Sequence, residues 1–227
     1  MTTVTVFDAY GTLFDPHGLT QRLEAEFPGA GSAISTSWRE AQLRYTWLRS
    51  LMDRWTPFDA VTIDALRWAC QLHGVDPDQR SVDALLEAYR SLPAYPDVAP
   101  VLGVMPGRLA ILSNGSRPML EAACAAAGIG ARLKAILSSD DVRVYKPDPR
   151  IYRLATERFG VAPNEVRFVS GNGWDCAGAT AAGFSVVHIS RGAEPPERLG
   201  AEPPPTIVDL RDLLDGGVSA KLSRTNA

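Results

Sequence analysis

The chain has 227 residues, of which 45% are hydrophobic and 22% charged, a globular balance that excludes wholesale disorder. A net charge of −3 speaks against a nucleic-acid partner, and no stretch approaches the roughly 18 uninterrupted apolar residues of a membrane span. Met1-Thr2-Thr3-Val4 shows no basic segment followed by an apolar one, and Cys70, Cys124 and Cys176 are odd in number and far apart. Both features predict a cytoplasmic protein with reduced thiols, without a disulfide frame or a zinc site.

Val4-Thr5-Val6-Phe7 is short, apolar and β-branched, and predicts a buried parallel strand. It runs into Asp8-Ala9-Tyr10-Gly11-Thr12-Leu13, where Gly11 permits a tight turn. An acid at the carboxyl end of a central strand sits where open α/β sheets bind ligands. From about residue 15 to 93 no strand pattern occurs. Helices are predicted over residues 19–27, 37–52, 58–73 and 81–92, with breaks at Phe27-Pro28-Gly29-Ala30-Gly31, Gly74 and Pro93. Trp38, Gln42, Tyr45 and Arg49 share one side of the second helix. Four of the five tryptophans, Trp38, Trp47, Trp55 and Trp68, lie in this segment and are assigned to its core.

Pro93-Ala94-Tyr95-Pro96 reads as a linker, after which strands and helices alternate. Strands are expected over 109–112, 135–137, 166–169 and 186–189, with a short one at 207–208, and helices over 118–127, 149–159 and 177–182. The pattern predicts an α/β protein with a doubly wound, Rossmann-like parallel sheet core (residues 1–14 and 94–227). A helical domain, residues 15–93, is inserted after the first strand as a cap. Residues 194–205 are proline-rich and predict a surface loop, and 218–227 a frayed tail.

Polar groups follow each strand of the second half: Ser113-Asn114-Gly115, then Tyr145-Lys146-Pro147 with Tyr152 beyond, then Ser170-Gly171-Asn172-Gly173-Trp174-Asp175. Taken singly, Ser113 could cap a helix, Lys146 could be a solvated lysine and Asp175 a helix-start acid. In a parallel sheet, however, these carboxyl ends converge on Asp8. A lysine there keeps Asp8 ionised and offsets repulsion from an anionic substrate. His17, His73 and His188 match no such position and are read as structural.

The Asp8-to-Thr12 stretch resembles the first motif of the haloacid dehalogenase superfamily, Asp-X-Asp-X-Thr after an apolar strand, whose first acid is a nucleophile. Tyr10 replaces the second acid, the general acid/base of the superfamily's phosphatases. Asn172 stands where those phosphatases carry a magnesium-binding carboxylate, and a hard cation prefers charged oxygen. Both replacements suit a halide leaving group, which needs no proton but does need a positive, donor-rich, partly dry pocket.

Trp38-Arg39-Glu40-Ala41-Gln42-Leu43-Arg44-Tyr45-Thr46-Trp47-Leu48-Arg49 is similar to the cap-helix segment of the L-2-haloacid dehalogenases, and the likeness runs over about residues 4–190. Lys146-Pro147 is superfamily-wide, whereas Tyr10, the 38–49 segment, Asn172 and Trp174 are more specific. Glu40 departs from the pattern, which favours an uncharged residue there.

The resemblance implies that Asp8 attacks C2 of a short (S)-2-haloacid and that Arg39 and Asn114 receive the halide. Ser113 and Lys146 would hold the substrate carboxylate. Thr12, Tyr152, Ser170, Asn172 and Asp175 would orient Asp8 and the hydrolytic water, with Tyr10, Leu43, Phe58 and Trp174 around the alkyl group. It implies no metal, no organic cofactor and a homodimer. A magnesium-dependent phosphatase of a small metabolite and a catalytically silent binding protein on the same fold are the alternatives.

Overall fold

Strand β1 (Val4–Phe7) lies inside a six-stranded sheet in the computed structural model, which describes residues 4–192, 197–200 and 202–214. The other strands are β2 (Arg108–Ser113), β3 (Leu133–Ser138), β4 (Val166–Ser170), β5 (Ser185–Ile189) and β6 (Thr206–Ile207). They run in the order β3-β2-β1-β4-β5-β6, and each pairing is parallel. The order reverses between β1 and β4, so a crevice opens at the carboxyl ends of these two strands.

Both faces of the sheet are covered, which is why its strands read as unbroken apolar runs. Val4, Val6, Ala110, Leu112, Phe168 and Val186 point to one face and pack on α7 (Pro149–Phe159) and α8 (Gly173–Ala181) through Ile151, Ala155, Cys176 and Ala179. Phe7, Leu109, Ile111, Val169 and Val187 point to the other, onto α5 (Val98–Val104) and α6 (Arg117–Ala126). That second core continues without a break into α1 (Thr20–Glu26), α2 (Gly31–Leu51), α3 (Phe58–Leu72) and α4 (Gln79–Arg90). Trp38 and Tyr89 are buried there, while Trp47, Trp55 and Trp68 are half-buried. The large exposed apolar side chains of α2 are Leu48 and Leu51, followed by Met52.

The helices differ most from the periodicity reading in three places, and α4 also lies two residues earlier than the expected 81–92, its start set by the Asp78 side chain accepting from the Ser81 amide. α2 starts at Gly31 rather than at 37, because Glu24 folds back onto the amides of Gly29 and Ser32 and the break narrows to the preceding residues. α5 is too short and proline-interrupted (Val98-Ala99-Pro100) to announce itself. α8 starts at Gly173 rather than at 177, which puts Trp174 and Asp175 in its first turn. Cys70, Cys124 and Cys176 are buried and unpaired, and no helix among the described residues is long and apolar enough to cross a membrane. The expected frayed tail at 218–227 and part of the expected loop at 194–205 lie outside the described residues.

Candidate active site

Asp8 comes directly after β1, and its amide still donates to the Val169 carbonyl (2.9 Å), so the sheet itself fixes the residue. The turn behind it is tight against the end of β4. A Cβ on Gly171 would stand 2.0 Å from the Gly11 carbonyl oxygen, so this approach requires glycine. Thr12 bridges the two loops: its hydroxyl donates to Asp8 Oδ2 (3.0 Å) and accepts from the Gly171 amide (2.8 Å).

Lys146, 1% exposed, enters from the loop before α7 and donates through Nζ to Asp8 Oδ1 (3.0 Å) and Asp175 Oδ2 (2.7 Å). Its amide donates to Asn114 Oδ1 (2.8 Å), which ties the lysine to the end of β2. Asp175 also accepts from Ser170 Oγ (3.1 Å) and, through Oδ1, from the Tyr152 hydroxyl (2.7 Å). That last contact depends on Gly178, where a Cβ would lie 2.4 Å from the Tyr152 oxygen.

One ammonium thus faces two carboxylates in a dry site. Burial disfavours the Lys146 charge, but Asp175 and Asp8 outweigh burial and hold its pKa above the ordinary lysine value. Burial pushes the Asp175 carboxyl up to about 6, against the pull of Lys146 and of the Tyr152 hydroxyl. Burial raises the Tyr152 phenol well above its usual range, so it stays a neutral donor.

Asn172, the residue before α8, completes the setting. Its Nδ2 donates to Asp8 Oδ2 (2.7 Å) and to the Tyr10 carbonyl (2.9 Å), and these two acceptors fix the amide orientation. Its Oδ1 therefore faces outward and accepts from Arg39 of α2 (3.4 Å). Arg39, Leu43 and Trp47 of α2, with Asn172 and Trp174, line a cavity of about 400 Å³; Trp47 meets Trp174 edge to face at 5.5 Å. Tyr10 and Phe58 are buried and stacked on one another (5.8 Å, 14°), and the Tyr10 hydroxyl has no partner among the described residues. His17 and His188 also line the cavity, and His73 hydrogen-bonds Ser37 (2.9 Å).

The network therefore joins Asp8, Thr12, Arg39, Lys146, Tyr152, Ser170, Asn172 and Asp175. Ser113 is buried with its hydroxyl accepting from the Gly115 amide (3.2 Å), and Asn114 reaches the network only through the Lys146 backbone.

A divalent cation, as the superfamily's phosphatases use, does not fit these residues. The side-chain groups bonded to Asp8 are donors, namely Lys146 Nζ, Thr12 Oγ1 and Asn172 Nδ2. The amide nitrogen that Asn172 turns toward Asp8 has no lone pair to offer a metal.

The model of the haloacid dehalogenase-like hydrolases matches residues 2–183. The (S)-2-haloacid dehalogenase 4A of Burkholderia cepacia is 45% identical over 195 residues, 85% of this chain and 84% of that protein. The (S)-2-haloacid dehalogenase of Pseudomonas sp. (strain YL) is 42% identical over 92% of this chain and 91% of its own. The chain belongs to the haloacid dehalogenase-like hydrolases, in the (S)-2-haloacid dehalogenase branch. The fold agrees: the L-2-haloacid dehalogenase of Xanthobacter autotrophicus, solved with chloropropionic acid covalently bound, superposes with a TM-score of 0.90 at 37% identity, over 96% of this chain and 98% of that one.

One residue at the site escaped the motif reading. Arg191, just past β5, donates from Nε (3.1 Å) and one terminal nitrogen (2.9 Å) to the Thr12 carbonyl, and from the other to Asp97 Oδ2 (2.8 Å). Its guanidinium lies 4.2 Å over the Tyr95 ring. Ser190-Arg191-Gly192 is one more polar group at a strand end, so the rule that found Lys146 and Asp175 extends to it.

Proposed function

We propose that the protein hydrolyses short (S)-2-haloacids to (R)-2-hydroxy acids through an ester on Asp8. The observation that carries this reading is the donor-only setting of Asp8, made by Lys146, Thr12 and Asn172 with Tyr10 where an acid would serve a leaving alcohol. Such a site favours a leaving group that departs as a stable anion and takes no proton.

An Asp8 oxygen attacks C2, the C–O bond forms, and the carbon–halogen bond breaks with its electron pair leaving on the halide. Lys146 donates to Asp8 and offsets repulsion from the anionic substrate, and Arg39 with Asn114 receives the halide. Lys146 and Ser113 hold the substrate carboxylate, and Tyr10, Leu43, Phe58 and Trp174 surround its alkyl group. Water, oriented by Asn172 and Asp175 with Ser170, Thr12 and Tyr152 behind them, then attacks the ester carbonyl. The acyl–oxygen bond breaks, and the hydroxy acid leaves with one proton of the water on its hydroxyl. The other proton passes to solvent, and Asp8 is regenerated as a carboxylate carrying one oxygen from water. Residues 15–93 serve as the cap over a core of residues 1–14 and 94–227, and the exposed Leu48, Leu51 and Met52 suit a homodimer face. Nothing in this scheme requires a metal or an organic cofactor, and reduced thiols suit a cytoplasmic location.

Stereochemistry and isotope test the scheme together. (S)-2-chloropropanoate should give (R)-lactate, because only the first step inverts C2. A single turnover in ¹⁸O-water with enzyme in excess should place the label in Asp8. Label in the lactate hydroxyl would mean direct attack by water, and retention would mean two displacements at C2; either overturns the ester at Asp8 as drawn.

A further inference from the structure

A second polar network lies behind Arg39, buried between α2, α3 and α4. Gln42, 1% exposed, is its hub. Gln42 Nε2 donates to Thr62 Oγ1 (2.9 Å), and Gln42 Oε1 accepts from an Arg39 terminal nitrogen (3.0 Å) and from the Tyr89 hydroxyl (3.1 Å). Proton counting fixes this amide. The Thr62 hydroxyl spends its single proton on the Phe58 carbonyl (2.7 Å), so toward Gln42 it can only accept. Gln42 must present its NH2 group to Thr62, and its carbonyl is left facing Arg39. Tyr89 does not draw Arg39 off that oxygen as a phenolate acceptor, because burial raises its phenol pKa and keeps it a neutral donor to the same oxygen. Trp38 locks the far side by donating to the Thr62 carbonyl (2.9 Å).

The consequence falls on Arg39. One terminal nitrogen is held on Gln42 and the other is aimed at Asn172 Oδ1 (3.4 Å), whose amide in turn holds Asp8. A hydrogen-bonded line therefore runs from Phe58 and Thr62 through Gln42, Arg39 and Asn172 to the nucleophile. Both ends of the Arg39 fork rest on neutral dipoles, so its charge is oriented without being neutralised.

We propose that Gln42, with its amide set by Thr62, is a positioning residue that holds Arg39 at the place where halide charge develops. This rests on the reading of Arg39 as the halide-receiving group. Because a poorer leaving group needs more help, losing the position should matter most for chloride and least for iodide.

Ester formation in single turnovers on (S)-2-chloro-, 2-bromo- and 2-iodopropanoate tests this, in Gln42→Leu and in the near-isosteric Thr62→Val, which folds more safely. The expected rate losses descend from chloro to iodo, reaching about 10²-fold for chloro in Gln42→Leu, the scale of a catalytic group misplaced by about an ångström. KM should change little, and Thr62→Ser, which keeps the hydroxyl, should restore the wild-type ratio between halogens. In an Arg39→Ala background, Gln42→Leu should add nothing. Equal losses for all three halogens, or losses that multiply with those of Arg39→Ala, would make Gln42 a packing residue and overturn the proposal. Wild-type ester formation by Arg39→Ala alone would overturn the assignment of Arg39 itself, a different failure.

Discussion

Two cations approach Asp8 from two parts of the molecule, and they are held in opposite ways. Lys146, from the sheet side, is buried against two carboxylates at 3.0 and 2.7 Å. Arg39, from the helices between β1 and β2, is half-buried on the wall of the cavity, and its hydrogen bonds among the described residues go to the neutral oxygens of Gln42 and Asn172. A cation spent on fixed carboxylates maintains standing charge, which a nucleophile needs. A cation resting on dipoles keeps its field for charge that is still to arrive, which a leaving group needs. Activity and stability should therefore separate between the two.

The largest effect belongs to the residue that both cations serve. Asp8→Ala should abolish halide release, because no other carboxylate in the first motif can form the ester. It should not lower the melting temperature, since Lys146 then keeps Asp175 in a one-to-one pair. A folded Asp8→Ala protein that still releases halide would end the nucleophile assignment. Lys146→Met is the complement: it leaves two carboxylates facing each other in a dry site and should cost about 3–5 kcal/mol of stability, the scale for breaking a buried pair. Denaturant melts of the two variants side by side measure this asymmetry, and equal stabilities would refute it.

Arg39→Ala comes next. It should lower kcat by at least roughly 10²-fold, as removal of one transition-state donor does. Stability should change by under about 1 kcal/mol, because no buried carboxylate loses its partner. A change confined to KM would make Arg39 an ordinary substrate-binding group.

The part of this legible in the sequence is the part built on local contacts. β1, the alternation after residue 93 and the polar groups at the strand ends are encoded in short apolar runs and in the few residues just past them. The expected α/β architecture and the convergence of Asp8, Lys146, Asn172 and Asp175 came from that rule. The start of α2 is not legible, because Phe27-Pro28-Gly29-Ala30-Gly31 reads as a breaker throughout, while the helix N-terminus needs only a return contact from Glu24. Gln42 was legible only as one member of a helix face. Its role depends on Thr62 and Tyr89, which lie 20 and 47 residues away and show no motif. Arg191 acts on a backbone carbonyl, that of Thr12, and carbonyls leave no mark on residue type.

The smallest expected effect is a displacement along the pH axis, and it probes the sheet-side cluster alone. In the proposed scheme Asp175 orients the hydrolytic water as a carboxylate, and burial has pushed that group up to about 6. The rate should therefore fall on the acid side near that pH. Tyr152 donates to Asp175 Oδ1 and so stabilises the charged form. Tyr152→Phe removes this bond, the carboxyl rises further, and the acid limb of kcat should move upward by about one pH unit, since a hydrogen bond to a charged group contributes on the order of 1.5 kcal/mol. The stability sign is fixed by the same shift. Between the ordinary value of 3.8 and about 6 the folded protein holds more proton at Asp175 than the unfolded chain does, so this group's contribution weakens as pH rises through that window. Lys146 has the same sense in a more alkaline window: its pair is intact below the ordinary lysine value and is lost only as pH rises through its raised one. Pre-steady-state ester hydrolysis against pH, in wild type and Tyr152→Phe, reads the limb directly. A limb that stays in place would assign the acid-side titration to another group and leave Tyr152 a packing contact.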